Sequence, residues 1–419
     1  MKFKDIVYLK KVDKTHTIYR IVGIKIKVRN GRIETQLKRK EKKYDVGILS
    51  FNINTDVSNY GAALHSFAFQ KYLDNLGVNN VIVNYYPEIV KLTPRYVQIL
   101  ENFKNKQFIE MFYNLRNLFY LIIKKVKFYS FFKKHCRITK HRYEVDTLYQ
   151  LKTIKQFVCE TDVTWHKFST GYDRGFFCDL PNMKSRLNVA YSVDFGSGTI
   201  SSKNQAQLRK YSKNFKYISV RNIFRLNEIK EILQRDDVII TIDPTLLLQQ
   251  EDYKNIIKKP KEKDFVFVYN CKENNEQMIE VARKYADERN LELKIVNCYD
   301  KNITDIKNSY PNPDSIEEFL GYIKYCKYFF TNSYHGICFA IIFKKNFSCF
   351  ERQANNDKIR TLLELSNLYS RLYNNSQIDD EPIDYSNTEN LLSNLRVQSE
   401  EYIKQSIIDE LQQGKVNIS

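Results

Sequence analysis

The segment "YDVGILSFNINTDVSNYGAALHSFAFQKYLDNLGVNNVIVNYY", residues 44–86, contains two apolar runs with a helical pattern between them. The first run, 44–51, is followed by Asn, Asp and Ser, which favour turns. Residues 60–77 place apolar side chains at helical spacing and end at Gly77. A second short apolar run, 78–86, follows. A strand, a helix and a strand of these lengths form a βαβ unit, so we predict an α/β fold with a parallel sheet.

The same alternation continues along the chain. Short apolar runs that end in polar residues predict four more strands, at 155–162, 186–195, 215–221 and 237–244. The charged segment "KKPKEKD" (258–264) contains a proline and reads as a linker, after which the pattern restarts with "FVFVYN". We therefore predict two Rossmann-like α/β domains. The predicted boundaries are a basic N-terminal extension at 1–43, an N-terminal domain at 44–250, a C-terminal domain at 258–375 and a closing helix at 390–413.

The composition excludes several classes of protein. The chain has 419 residues with 43% hydrophobic and 14% aromatic content, enough for packed cores. Its eight cysteines form no CxxC pair and no Cys/His cluster, so we expect reduced thiols and no metal site. No secretory signal and no apolar run long enough to span a membrane is visible. We expect a cytoplasmic protein.

The net charge of +18 is concentrated in two segments. Residues 1–43 and 91–142 each carry a net charge of +11, whereas the remainder is slightly acidic. In 111–137, aromatic and aliphatic residues alternate with Lys and Arg. Two interpretations remain open for this segment: a helix that packs on the N-terminal domain, or an interfacial helix that rests on an anionic membrane surface with help from 1–43. No nucleic-acid-binding fold accompanies the basic segments, so we expect no nucleic acid partner.

Polar residues at the ends of the predicted strands are the candidates for a ligand site, because ligands of parallel sheets bind beyond the carboxyl ends of the strands. Taken singly, each also fits a structural role as a helix start or a turn. The candidates are Asn59 and Gly61, Asp162, Asp194 to Gly198, Arg221, Asp243, and Asn332 to Gly336.

His335 and Arg221 carry the most specific chemistry among these candidates. His335 lies between a tyrosine and a glycine at a predicted strand-to-helix turn, where free N–H groups attract an anion, and imidazole exchanges protons near neutral pH. Arg221 ends a predicted strand, where its planar guanidinium could bind a carboxylate or phosphate. We expect the two side chains to face one another across a gap that holds one small dianion.

Several of these motifs, taken in order, resemble the polysaccharide pyruvyl transferase family. The resemblance covers roughly residues 44–370 and rests on "NYGAALHSFAFQKYL", "YISVRN", "DVIITIDPTLLL", "FFTNSYHGICFAIIFKKNF" and "NDKIRTLLELSNL". Members of this family transfer the enolpyruvyl group of phosphoenolpyruvate to a sugar of a bacterial surface glycan, usually as a cyclic ketal. The resemblance also implies a fold similar to that of GT-B glycosyltransferases.

The resemblance implies roles for individual residues, and it implies no cofactor beyond phosphoenolpyruvate as co-substrate. His335 would act as general acid/base, with Asp162 orienting or deprotonating the acceptor. Trp165 and Asp243 would bind the acceptor, a sugar or lipid-linked oligosaccharide. The residues assigned to donor binding are Arg221, Ser333, Tyr334, Gly336, Asn59 and Gly61.

One motif departs from the family pattern. Where many relatives have Gly-Ser-Asp-x-x-Trp, this chain has "ETDVTW" (160–165), so Glu160 and Thr161 replace the Gly-Ser pair. A glutamate there would crowd and charge the predicted pocket. Two alternatives to a pyruvyl transferase therefore remain open, a GT-B-type glycosyltransferase that uses a nucleotide sugar and a non-catalytic family member.

Overall fold

The computed structural model describes residues 11–12, 16–21, 24–29, 42–51, 59–87, 108–184, 186–273, 275–299, 314–353, 356–375 and 378–416. The chain separates into two compact units, Met1–Lys43 and Tyr44–Ser419. The first unit contains an antiparallel sheet in the order β1-β2-β3, built from β1 (Lys11–Val12), β2 (His16–Ile21) and β3 (Ile24–Arg29). The rest of the predicted basic extension lies outside the described residues.

The second unit begins with a six-stranded parallel sheet in the order β5-β4-β6-β7-β8-β9. Its strands are β4 (Tyr44–Leu49), β5 (Asn80–Ile82), β6 (Ile154–Glu160), β7 (Asn188–Val193), β8 (Phe215–Val220) and β9 (Ile239–Ile240). The last four residues of β4, Val46 to Leu49, are buried, as expected for a strand that is covered on both faces.

Helices connect these strands. The longer ones are α1 (Tyr60–Asn75), α2 (Phe108–His135), α3 (Ser202–Ser212) and α4 (Leu226–Leu233). One-turn α-helices span Val145–Leu148, Lys167–Thr170, Pro244–Leu247 and Gln250–Tyr253. Short 3₁₀ turns span Val163–Trp165, Ile223–Arg225 and Lys254–Ile256. The strand–helix–strand unit predicted from 44–86 is confirmed as β4–α1–β5.

A second parallel sheet follows, with four strands in the order β11-β10-β12-β13. Its elements are β10 (Phe265–Lys272), α5 (Glu276–Glu288), β11 (Glu292–Tyr299), α6 (Ile316–Tyr325), β12 (Tyr328–Thr331), α7 (Tyr334–Ile342), β13 (Phe347–Cys349), α8 (Asp357–Leu365) and a 3₁₀ turn at Tyr369–Arg371. The predicted α/β fold class with Rossmann-like parallel sheets is confirmed by these two sheets.

The C-terminal helix returns to the first sheet. It runs as α9 (Tyr385–Ile403), a π-helical segment (Lys404–Asp409) and α10 (Glu410–Val416). The Tyr402 hydroxyl donates to the Ala190 carbonyl on β7 at 2.9 Å, and the Ser399 hydroxyl accepts from the Ile242 amide at 2.8 Å. The closing helix predicted at 390–413 is present and begins five residues earlier. The predicted boundaries at 250 and 258 remain predictions, since Tyr44–Ser419 forms one compact unit.

The two halves of this unit share one hydrophobic core. At the start of α1, the Tyr60 ring stacks on Phe319 of α6 with centroids 4.3 Å apart and contacts Tyr269 of β10 edge-on at 5.9 Å. The Tyr60 hydroxyl donates to the Asp314 carbonyl at 3.1 Å. Packed aromatic rings hold their neighbours at fixed separations, so the start of α1 is held firmly against the second sheet.

Candidate active site

The candidate site lies where the starts of α1 and α7 meet between the two sheets. The Asn59 side chain caps α1 by accepting from the Gly61 amide at 2.8 Å, and Ser333 caps α7 by accepting from the Gly336 amide at 3.3 Å. A Cβ atom at Gly61 would lie 2.2 Å from His335 Nδ1. Only glycine therefore allows the His335 ring to rest against α1. The donor-binding roles of Asn59, Gly61, Ser333 and Gly336 stay predictions.

Arg221, at the end of β8, is enclosed by three carboxylates. Its guanidinium donates to Asp194 Oδ2 at 2.7 and 2.9 Å, to Asp162 Oδ1 at 3.0 Å and to Asp243 Oδ2 at 3.2 Å. Burial lowers the pKa of the guanidinium, but Asp194 and Asp162 more than offset that effect and raise it well above its usual value. Arg221 is thus a buried hub that fixes three strand-end carboxylates, and its predicted role as donor anchor has no direct support from these contacts.

The gap expected between Arg221 and His335 is filled by a protein carboxylate. Asp243 Oδ2 lies 3.2 Å from Arg221 Nη1 and 3.5 Å from His335 Nε2. The other oxygen, Oδ1, accepts from the Thr245 amide and hydroxyl at 3.0 and 2.8 Å. The two side chains do face a shared position, as expected, but Asp243 occupies it instead of a substrate dianion. Asp243 is fully buried, so we do not propose it as an acceptor contact.

His335 is a nearly buried imidazole, and its Nε2 is itself buried. Among the described residues, its Nε2 has no hydrogen-bond partner, because 3.5 Å from Asp243 is an ion-pair distance and too long for a good hydrogen bond. Burial lowers the pKa of His335 below its ordinary value, and this effect outweighs the opposing influence of Asp243. The ring is therefore mostly neutral at neutral pH and can accept a proton.

A second imidazole stacks on the first. The rings of His65 and His335 lie 5.7 Å apart at 28°. His65 Nδ1 contacts both carboxylate oxygens of Glu160, at 3.0 and 3.1 Å, and both side chains are fully buried. Burial alone would lower the pKa of His65, but the charge and hydrogen bond of Glu160 more than compensate and raise it. Glu160, which stands where the family motif has a glycine, thus pairs with His65 on α1.

Asp162 connects the Arg221 hub to a cavity between the two halves. Its Oδ1 lies 3.0 Å from Arg221 and 3.7 Å from Lys358 Nζ. Burial tends to raise the pKa of the Asp162 carboxyl, but Lys358 and then Arg221 hold it well below its usual range. Asp162 is therefore an anion at working pH, and its backbone φ of 53° is unusual for a residue other than glycine.

The cavity at this junction, which we call the junction cavity, is lined by cations and also by two carboxylates, Asp194 and Asp357. Its lining includes Lys272 from β10, Arg352, Lys358 from the first turn of α8, and His166 from the first half. Burial, together with the charges of Arg221 and Lys272, lowers the pKa of Lys358 to about 8, against the opposing effect of Asp162. Tyr334 lies beside these cations, with its ring centre 4.7 Å from Arg221 Cζ and 5.8 Å from Lys358 Nζ.

A wider groove adjoins the junction cavity and shares Asp357 with it. The adjoining groove has a volume of about 760 Å³ and is lined from both halves, by residues that include Phe224, Arg225 and Tyr369. Phe224 and Tyr369 are 63% and 46% exposed. Large exposed aromatic side chains along a groove are typical of binding surfaces.

Trp165 does not line either of these openings. The indole is fully buried, packs on Phe177 and Phe195 with centroids 4.8 and 5.4 Å away, and donates to the Phe176 carbonyl at 3.4 Å. It is a core side chain of the first half, and we do not propose the predicted acceptor contact for it.

The sequence analysis did not identify the cations of the junction cavity or the second imidazole, His65, as site residues. Lys358 lies inside the quoted motif "NDKIRTLLELSNL", in the first turn of α8. A lysine at that position opposes the helix dipole, and this unfavourable placement was the signal that could have identified it as a functional residue. Nothing in the sequence indicated that His65 and Glu160 would pair. Among the described residues, no group of three or more His, Cys, Asp or Glu side chains is arranged to hold a metal ion.

Comparison with known proteins links this site to one family. The family model for "Polysaccharide pyruvyl transferase" matches residues 59–353, about 70% of the chain, from the α1 cap to beyond β13. A search of curated proteins found no match.

Two solved structures illustrate the weaker likeness to known folds. The UDP co-structure of S. aureus MnaA is 12% identical, with coverage of 87% of this chain and 90% of that chain and a TM-score of 0.40. The glycosyltransferase SnogD from Streptomyces nogalater is 9% identical, with coverage of 87% and 98% and a TM-score of 0.34. Scores this low carry no conclusion about activity.

Proposed function

Because the chain belongs to the polysaccharide pyruvyl transferase family, and is thus a transferase that modifies polysaccharides, we propose that it transfers the enolpyruvyl group of phosphoenolpyruvate to two hydroxyls of a bacterial surface glycan or its lipid-linked precursor. The product is a pyruvate ketal and inorganic phosphate. The observation that carries the proposal is the junction cavity, which the cations Lys272, Arg352 and Lys358 line; the first two of these lie within the matched residues.

The donor is an anion, and the three cations that line the junction cavity outnumber its two carboxylates, Asp194 and Asp357. Phosphoenolpyruvate carries a carboxylate and a phosphate, and Lys272, Arg352 and Lys358 supply three cationic groups around one cavity. We therefore assign donor anchoring to these residues, and to Arg221 the positioning of Asp162, Asp194 and Asp243. The cavity is narrow, about 50 Å³, so donor binding requires its long side chains to move aside.

The proposed chemistry needs one group that moves protons and no cofactor. A proton adds to the methylene carbon of the donor while an acceptor hydroxyl attacks the neighbouring carbon. His335 accepts the proton of that hydroxyl and supplies the proton that adds to the methylene carbon, so its ring ends in the neutral form. The bond to phosphate then breaks, phosphate leaves with its electron pair, and the second hydroxyl closes the ketal and gives its proton to the phosphate. Overall, the two hydroxyl protons end on the new methyl group and on phosphate.

The acceptor site proposed here is the adjoining groove. Phe224 and Tyr369 offer apolar faces on which sugar rings can stack, and Arg225, Glu228 and Arg360 add hydrogen-bonding groups. Asp357 lines both openings, so a glycan in the groove would place a hydroxyl near a donor in the cavity. Asp162 lies beside Lys358 in this arrangement and is assigned to orienting the reactants.

A thermal-shift experiment separates the proposal from its alternatives without knowledge of the acceptor. Phosphoenolpyruvate should raise the unfolding temperature of the wild type and of Lys404→Ala, a control with an exposed lysine on the C-terminal helix, but have little effect on Lys358→Ala. UDP-N-acetylglucosamine should have no effect on any of them. A shift with the nucleotide sugar alone would favour the glycosyltransferase, and no shift with either would favour the non-catalytic family member.

A further inference from the structure

One side of α2 exposes an apolar stripe to solvent. Phe119, Ile122, Val126 and Tyr129 are 61%, 53%, 63% and 58% exposed. Their spacing of three, four and three residues places them on one side of the helix, which we call the outer face. Single exposed apolar residues are common on protein surfaces, but four consecutive positions of one helical stripe form a contiguous patch and indicate a binding surface.

The opposite side of α2 already has its partner. Phe128, Phe131 and Phe132 are buried in the core, and the aliphatic chain of Lys124 is buried with its Nζ 4.3 Å from the centre of the Tyr60 ring. Lys127 pairs with Glu318 of α6 at 2.9 Å. The helix is therefore fixed to the protein by its inner side, and the apolar residues of the outer face are not needed for that packing.

The positive charges beside the outer face indicate which kind of partner it binds. Lys125, Lys133 and Lys134 are exposed, and no Asp or Glu occurs in the sequence from 111 to 143. A second copy of the chain seated on this face would bring lysines against lysines. An anionic lipid surface satisfies both features, since apolar side chains enter the boundary between headgroups and acyl chains while lysines remain among the phosphates.

We propose that the outer face of α2 docks on an anionic membrane, with α2 lying in the plane of the interface. Among the described residues, no helix combines the length and hydrophobicity needed to cross a bilayer. Docking would bring the candidate active site close to acceptors that are attached to lipid. The inference does not depend on the proposed reaction, because binding to vesicles is measured without donor or acceptor.

Co-sedimentation of the full chain with vesicles tests this inference. Wild type should bind phosphatidylcholine vesicles that contain phosphatidylglycerol, bind weakly to pure phosphatidylcholine, and lose affinity as salt is raised. Ile122→Ser/Val126→Ser should bind roughly a hundredfold more weakly because apolar insertion is lost. Lys125→Glu/Lys133→Glu/Lys134→Glu should also lose on the order of a hundredfold.

Matched controls carry the same kinds of substitution elsewhere. Leu391→Ser/Val397→Ser replaces two residues of α9 that are 39% and 53% exposed. Lys203→Glu/Lys261→Glu/Lys263→Glu reverses three exposed lysines in other regions. Both controls should bind as wild type does. Residues 1–43 are unchanged in every variant, so their charge is common to all samples.

Three results would overturn the inference. The first is absence of binding to anionic vesicles at low salt. The second is equal binding by wild type and Ile122→Ser/Val126→Ser, which would mean that charge alone adsorbs the chain. The third is a dimer in lipid-free sedimentation velocity that the same double substitution dissociates, which would identify a second copy as the partner.

Discussion

His335 is confined by three neighbours, and each of them limits what the ring can do. Gly61 leaves room beside Nδ1, His65 stacks on the ring face, and Asp243 lies 3.5 Å from Nε2. A ring held in this way loses little freedom when a substrate binds, and its lowered pKa keeps it neutral. These features suit a proton acceptor with a fixed orientation.

Replacement of His335 tests this role. His335→Asn should lower kcat for phosphate release from phosphoenolpyruvate in the presence of acceptor by on the order of a hundredfold or more, because the proton acceptor is removed. His141→Ala, a histidine substitution remote from the cluster, should leave kcat unchanged. Thermal unfolding of both variants checks that the fold is retained. Turnover by His335→Asn close to that of wild type would refute the assignment.

Lys358 should make donor capture sensitive to alkaline pH. With a pKa of about 8 in the free protein, it is mostly protonated at pH 7 and mostly neutral at pH 9. The value of kcat/KM for phosphoenolpyruvate should therefore fall roughly tenfold as pH rises through this range, as one charged contact is lost. Lys358→Arg keeps its charge and should flatten the profile. The same decline in Lys358→Arg would assign the titration to another group.

The His65–Glu160 pair should link stability to pH. The pKa of His65 is raised above its ordinary value of 6.5, so its protonation stabilises the fold fully below that value, and the stabilisation is lost as pH rises through the raised pKa. Glu160→Gln should reduce the free energy of unfolding by about 3–5 kcal/mol at pH 6. The difference from wild type should shrink at higher pH. Denaturant titrations that give a pH-independent difference would contradict the pairing.

Among the secondary-structure elements, the sequence predicted those with a strong local pattern. β4, α1 and β5 follow from 44–86 because buried parallel strands and a helix with apolar spacing leave distinct signatures. The strand-end positions were also sufficient to bring Asp162, Asp194, Arg221 and Asp243 together, since carboxyl ends of neighbouring parallel strands meet at one edge. The pairing of these residues with one another depends on side-chain directions and on the placement of α8, which local patterns do not contain.

The close contact between Gly61 of α1 and His335 of α7 can be tested by adding a methyl group at Gly61. In an open helix, Gly→Ala is favourable by up to about 1 kcal/mol, but a Cβ at Gly61 would lie 2.2 Å from His335 Nδ1. Gly61→Ala should therefore displace the His335 ring and lower kcat at least tenfold, without the stability gain expected of an open helix. Steady-state kinetics and thermal unfolding measure the two effects. A more stable variant with normal kcat would show that α1 and α7 do not meet in this way.

Across the whole of Tyr44–Ser419, two parallel sheets share a core and the C-terminal helix returns to the first sheet. Residues from both halves contribute to one cluster: His65, Asp162, Arg221 and Asp243 from the first half, His335 and Lys358 from the second. The relative placement of the halves therefore sets the geometry of the chemistry. Donor and acceptor would meet only where both halves are present.

The pyruvate content of the surface polysaccharide tests the proposed function in the cell. Polysaccharide from cells that carry the intact chain should contain ketal-linked pyruvate by mass spectrometry and NMR. Polysaccharide from cells without the chain, or with His335→Asn in its place, should lack it. Equal pyruvate content in all three samples, or its absence from all three, would contradict the proposal that this protein is a ketal-forming pyruvyl transferase.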